Sequence, residues 1–191
     1  MVVRETIEEV ALAAERKSAL ARESPPRYLV LSALAGAYVG LGVALIFAVG
    51  APLAASSSPF TKLVMGASFG VALSLVLFAG AELFTGNALV LTVGALTGRS
   101  TWSELAAVWG WSYVGNVLGS LALAWLLAQS RLFAEDPQRS FLEGVAAAKI
   151  HLPFGVAVVR GILANWLVCL AVWCSLQTSS DAARLGLVFW C

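Results

Sequence analysis

The chain has 191 residues, 60% of them hydrophobic and 12% charged, with 12 Lys and Arg against 11 Asp and Glu. Soluble domains carry about 25% charged residues, so this composition and a mean hydropathy of +0.86 exclude an ordinary soluble domain. The near-neutral balance argues against nucleic acid as a partner, and the long uninterrupted apolar runs are those of an integral membrane protein.

Residues 4–23, RETIEEVALAAERKSALARE, mix small apolar and charged positions among good helix formers. Val10, Ala13, Ala14 and Lys17 fall at i, i+3, i+4 and i+7, which predicts a weakly amphipathic helix at the membrane surface or packed beneath a bundle. Pro25 and Pro26 end it, because proline cannot continue a helix and restrains the residue before it. An N-terminal cytoplasmic segment, 1–26, is thus set apart from a transmembrane domain, 27–191. The charged, periodic N-terminus lacks the short apolar core of a cleavable signal peptide.

Tyr28 to about Leu53 is a first span without charge, stopped by Pro52 and the polar ASSSP after it. Gly36, Gly40 and Gly42 give it a small-residue face that lets another helix approach closely. Phe60 to Thr97 is a second apolar region. As one straight helix it would be about 57 Å long, against roughly 30 Å of hydrocarbon. It must tilt, break or turn back, and the expected break is at 79–87, within AGAELFTGNALVL (79–91).

Trp102 to about Leu127 is a third span, with Trp102, Trp109, Trp111, Tyr113 and Trp125 as interfacial anchors. Gly115 and Gly119 stand at GxxxG spacing in it. Residues 129–149 read as a charged linker, and Leu152 to about Leu176 as a fourth span. LGLVFWC (185–191) begins a fifth apolar run. At about 10 Å of helix it cannot cross a bilayer, and it reads as a chain cut off within a helix. With the second region crossing once, Arg4, Arg16, Lys17, Arg22, Arg27, Arg99 and Arg184 lie on one side, and Lys62, Arg131, Arg139 and Lys149 on the other. The positive-inside rule then puts the N-terminus in the cytoplasm.

Cys169, Cys174 and Cys191 form no CxxC and have no histidine at metal spacing, so neither redox nor metal chemistry nor a cofactor is expected. Buried cysteines in apolar runs act as small hydrophobes. The absence of any Walker loop, GxSxG, HExxH or dinucleotide fingerprint leaves an enzyme without a site.

Charge inside the spans is the strongest functional signal, since placing it there costs at least ~2.5 kcal/mol on insertion scales. Glu82 and Arg160 qualify, with Asn165 as an uncharged polar neighbour. Their opposite signs suggest that Glu82 and Arg160 neutralise each other or hold loose backbone. Breaking a helix frees N–H and C=O groups that lipid cannot satisfy. Glu82 can accept N–H bonds from the loop, and Thr85 or Asn87 can cap a helix restarting at Ala88. The positive end of that half-helix suits a small anion. Lys149 opens the fourth span at its outer mouth, either snorkelling or raising anion concentration in a vestibule. His151 beside it reads as a bystander.

AELFTGN (81–87), GNVLGSLALAW (115–125) and above all RGILANWLVCLAVW (160–173) closely resemble the formate/nitrite transporter family, over Tyr28 to Cys191. The resemblance implies an all-α, aquaporin-like helical bundle with a broken second transmembrane helix, assembled as a homopentamer in the inner membrane. Each protomer would hold its own pore for small monovalent anions such as formate, nitrite or hydrosulfide. On this resemblance Leu83, Phe84 and Thr85 match the central pore loop, and Phe69 and Leu73 the outer constriction. Lys149 matches the vestibule lysine and Asn165 the polar residue near the pore centre; the charge and backbone reading above, not the resemblance, makes Glu82, Asn87 and Arg160 supports of the loop. The family's central histidine belongs to a segment beyond Cys191, so about four and a half of its six helices are expected here. A chain that only assembles, without conducting, stays open at this point. So does a water- or glycerol-type channel, although no Asn-Pro-Ala motif is present.

Overall fold

The computed structural model of the chain describes residues 2–190. They form eight helices: α1 (Val2–Glu23), α2 (Pro25–Ala55), α3 (Thr61–Ala79), α4 (Phe84–Leu96), α5 (Trp102–Ser130), α6 (Gln138–Ile150), α7 (Phe154–Leu176) and α8 (Asp181–Trp190). Four of these, α2, α3, α5 and α7, are long and apolar enough to cross a membrane. The chain is an all-helical, multi-pass membrane protein.

The second apolar region is interrupted, as its length requires. It divides into α3 and α4, about 28 Å and 20 Å long at 1.5 Å per residue, with 80–83 between them. Gly80 closes α3 at φ +77°, a left-handed conformation that glycine adopts without the clash a Cβ brings. Ion pairs fix which ends share a side. Arg99, just after α4, approaches Glu15 of α1 at 3.7 Å, and Arg22 of α1 meets Glu104 at the start of α5 at 3.1 Å. Gln177, just past α7, donates to Thr6 of α1 at 2.7 Å. The end of α4, the start of α5 and the end of α7 therefore lie with α1, and α3 plus α4 cross once.

Three boundaries differ from the sequence expectation. Pro52 lies within α2 instead of stopping it. A proline forfeits one hydrogen bond four residues back, and near a helix end that loss is tolerated, so the helix runs on to Ala55. The supposed linker contains α6, held to α2 by the edge-on rings of Phe141 and Phe47 at 5.9 Å. Lys149 consequently sits in the last turn of α6 instead of opening α7. Lastly, α8 starts at Asp181, ahead of the apolar run, where Arg184 donates to the Ser175 and Thr178 carbonyls at 3.0 and 3.2 Å. Cys191 lies outside the described residues.

The α2–α5 pair is the most extensive contact in the bundle, and small residues permit it. A Cβ on Gly119 would fall 1.7 Å from the Ala33 carbonyl oxygen, and one on Gly36 2.0 Å from that of Asn116. Gly36 and Gly119 thus meet backbone against backbone, whereas Gly42 of the same expected face packs against Ala72 of α3. Thr101 and Glu104 form a capping box that starts α5.

Because backbone cannot yield as a flexible side chain does, Gly119→Ala should cost at least about 1–3 kcal/mol of stability. Gly110→Ala, where a Cβ meets nothing within 4 Å, should be neutral. Thermal unfolding of the purified variants followed by tryptophan fluorescence will compare them.

Candidate functional site

The break at 80–83 leaves polar backbone within an apolar bundle, and neighbouring helices take up several of the freed groups. The Gly80 and Ala81 N–H groups return to the Val76 carbonyl, the latter at 3.1 Å. The Glu82 N–H crosses to the Leu31 carbonyl of α2 at 3.2 Å. The remaining work falls to Asn116 of α5. Its Oδ1 accepts from the Phe84 N–H at 2.9 Å, while its Nδ2 lies 2.9 Å from the Glu82 carbonyl and 2.8 Å from the Ser32 carbonyl. One side-chain amide thus caps the restarting half-helix and ties the break to both α2 and α5.

This differs from the expected cap. The helix restarts at Phe84, not Ala88, and Leu83, its N-cap residue, makes no side-chain cap bond. Thr85 and Asn87 already lie inside α4. Asn116 carries no role in the sequence reading, although it lies within GNVLGSLALAW; the available signal is an amide in an otherwise apolar span.

The Glu82 carboxylate is almost fully buried, which is tolerated only if paired and hydrogen-bonded. Its Oε2 receives Lys17 Nζ of α1 at 2.6 Å, Tyr28 Oη of α2 at 3.0 Å and Asn87 Nδ2 of α4 at 3.1 Å. Asn87 Nδ2 also lies 2.9 Å from Tyr28 Oη and 2.8 Å from Ser112 Oγ of α5. Its two hydrogens serve two of these three acceptors at a time. Tyr28 and Ser112 are themselves 3.0 Å apart, and all but Lys17 are buried. Four helices and the break meet in one polar cluster.

Arg160 is not the partner of Glu82. It is exposed on α7 and forms no ion pair among the described residues, so the proposed mutual neutralisation is overturned. The cation comes from the amphipathic helix: α1 buries Val10 and Ala14 against the bundle, and Lys17, one turn beyond Ala14, reaches the carboxylate.

A cavity of about 250 Å³ lies on the α1 side of the break, bounded by Leu73, Leu83, Gly86, Asn87 and, from α1, Arg16 and Lys17. Leu73 and Leu83 thus share one wall system. Phe69, a turn earlier on α3, is exposed. Phe84 turns its ring edge-on to Trp109 and Tyr113 of α5, each at 5.8 Å. Thr85 is half-buried, and its carbonyl takes a long contact from Cys169 Sγ of α7 at 3.7 Å. One turn before Cys169, Asn165 is half-buried, with an Oδ1 that is shielded and has no hydrogen-bond partner among the described residues. Lys149 and His151 are exposed at the far side.

The sequence pattern of the family described as formate/nitrite transporter matches residues 4–191. The chain is 41% identical over 187 residues to the nitrite transporter NirC of Escherichia coli (strain K12), covering 98% of this chain and 68% of that protein. It is 36% identical over 159 residues to the formate channel FocA of the same strain, covering 81% and 55%. An FNT family ion channel superposes with a TM-score of 0.92 at 39% identity, covering 98% of this chain and 74% of that one. A pentameric formate channel with formate bound gives 0.75 at 28% identity, covering 88% and 67%.

Removing one member of the partly buried pair should cost about 1–3 kcal/mol, because the other charge stays behind unpaired. Lys17→Met and Glu82→Gln should each destabilise, and the double variant should recover much of the loss. A double-mutant cycle on thermal unfolding measures this coupling, and strict additivity would deny it.

Proposed function

The chain belongs to the formate/nitrite transporter family, and from that premise we propose that it passes small monovalent anions, of the formate, nitrite or hydrosulfide class, through a pore within each protomer. Its relatives are transporters and channels, not enzymes. The observation that carries the proposal is the broken helix, whose interruption borders a cavity of about 250 Å³ between α1, α3, α4 and α7. Irregular backbone at membrane depth persists only where protein buries it or where it lines a cavity.

In this reading Lys149 draws anions toward the mouth remote from α1, and Leu73, Leu83, Phe69 and Phe84 form the apolar constrictions. Thr85 and Asn165 offer hydrogen bonds between them. The unpartnered Oδ1 of Asn165 supports that role, since a shielded polar atom in a native bundle ordinarily has a partner. Lys17 is occupied by Glu82, which leaves Arg16 as the cation of the α1-side cavity with no ion pair among the described residues. A bare anion between apolar rings is costly, so passage as the neutral acid, with its proton, fits the lining. The protein would sit in the inner membrane as a homopentamer, with α1 on the cytoplasmic side.

Reconstitution into liposomes tests the proposal: nitrite or formate should enter faster than into protein-free vesicles, and equal rates would refute it. At low salt, Lys149→Ala should slow uptake severalfold. The difference should shrink as ionic strength rises toward 0.1 M, where the screening length falls to about 10 Å. Unchanged uptake at low salt would remove Lys149 from the mechanism.

A further inference from the structure

A second cavity, of about 570 Å³, lies apart from the break, between the halves of α2 and α5 that are remote from α1. We propose that it holds an acyl chain of an anionic phospholipid, whose phosphate pairs with Arg131 at the end of α5.

The walls are hydrocarbon. Val39, Val43 and Phe47 of α2 face Leu123 and Leu127 of α5. The hydroxyl of Ser120, which also borders the space, donates to the Gly36 carbonyl at 3.2 Å. A polar solute would therefore find little to bond along the lining. The gap opens just past the point where Gly36 and Gly119 bring the two backbones together. Small residues at Gly40, Ala44, Ala124 and Ala128 continue both faces beyond it. An empty space between such walls forfeits their dispersion contacts. Between two membrane-spanning helices the medium at hand is lipid. Lipid tails are as apolar as leucine, so filling the groove brings no hydrophobic gain by itself. Fit favours a flexible chain, and any selectivity must come from the headgroup.

The headgroup partner is at the mouth. Arg131 ends α5 in a left-handed conformation, its N–H returning to the Ala128 carbonyl, and its side chain borders the cavity. Of the arginines without a carboxylate within 4.0 Å among the described residues, only Arg131 borders this cavity. The nearby Asp136 carboxylate instead accepts from the backbone N–H and hydroxyl of Ser140. A free guanidinium where a span meets the interface matches phosphate in geometry and charge.

Native mass spectrometry of the purified assembly, titrated with phosphatidylglycerol or phosphatidylcholine, tests the site. Wild type should retain phosphatidylglycerol about fivefold more strongly, the factor of one arginine at an anionic surface. Arg131→Gln should bring the two lipids level while leaving phosphatidylcholine retention unchanged. Ala124→Phe, or Ala44→Phe from the opposite wall, should fill the groove and lose both adducts with the assembly mass intact. Three results would overturn the proposal: equal retention of both lipids by wild type, adducts that survive both filled variants, or dissociation of the assembly by both. The last would mean that a second copy of the chain occupies the groove.

Discussion

A peptide group released from a helix inside hydrocarbon must find another partner, and most of this structure follows from meeting that demand at 80–83. The second apolar region is too long for one crossing, so the chain breaks, and the break creates polar groups that lipid cannot satisfy. The response is spread over several helices. Asn116 of α5 takes two backbone groups of the break, the Leu31 carbonyl of α2 takes a third, and Tyr28, Asn87 and Lys17 bond the buried Glu82 carboxylate, with Ser112 behind them. No single neighbour would suffice, since each offers only one or two donors in the right place.

That distribution explains why the other elements sit where they do. For Asn116 and Leu31 to reach the same short segment, α2 and α5 must approach within backbone contact, and Gly36, Gly115 and Gly119 allow it. For Lys17 to reach Glu82, α1 must be docked, and its apolar stripe of Val10 and Ala14 does so against α4 and α5. The amphipathic helix is thus part of the site as well as its cover. It places Arg16 and Lys17 on the wall of the cavity that the break borders.

Much of this was legible beforehand, and the failures are instructive. Length against bilayer thickness requires the second region to tilt, break or turn back, the polar cluster at 79–87 marks where, and the glycine faces predict close helix approach without naming the partner, because all three rest on properties of one segment. Partners were harder. Sign alone pairs Glu82 with Arg160, but the true cation lies in a helix whose weak periodicity gives no hint of its depth. Nearness in sequence makes Thr85 and Asn87 the candidate caps, whereas the cap is supplied from 32 residues away. Side-chain partnership across a bundle depends on helix rotation and height, which pattern alone does not encode. The family resemblance, carried by AELFTGN and RGILANWLVCLAVW, agreed with the comparisons because those motifs concentrate the residues around the break and along α7.

The central claim is that Asn116 and the Glu82 cluster hold an otherwise unstable break in one geometry. Amide hydrogen exchange across 79–88 in bilayer nanodiscs measures this most directly, comparing the native chain with the near-isosteric variant Asn116→Leu. The account predicts that protection is lost at 82–84 while the middles of α3 and α5 keep theirs. Unchanged exchange at 82–84 would contradict it.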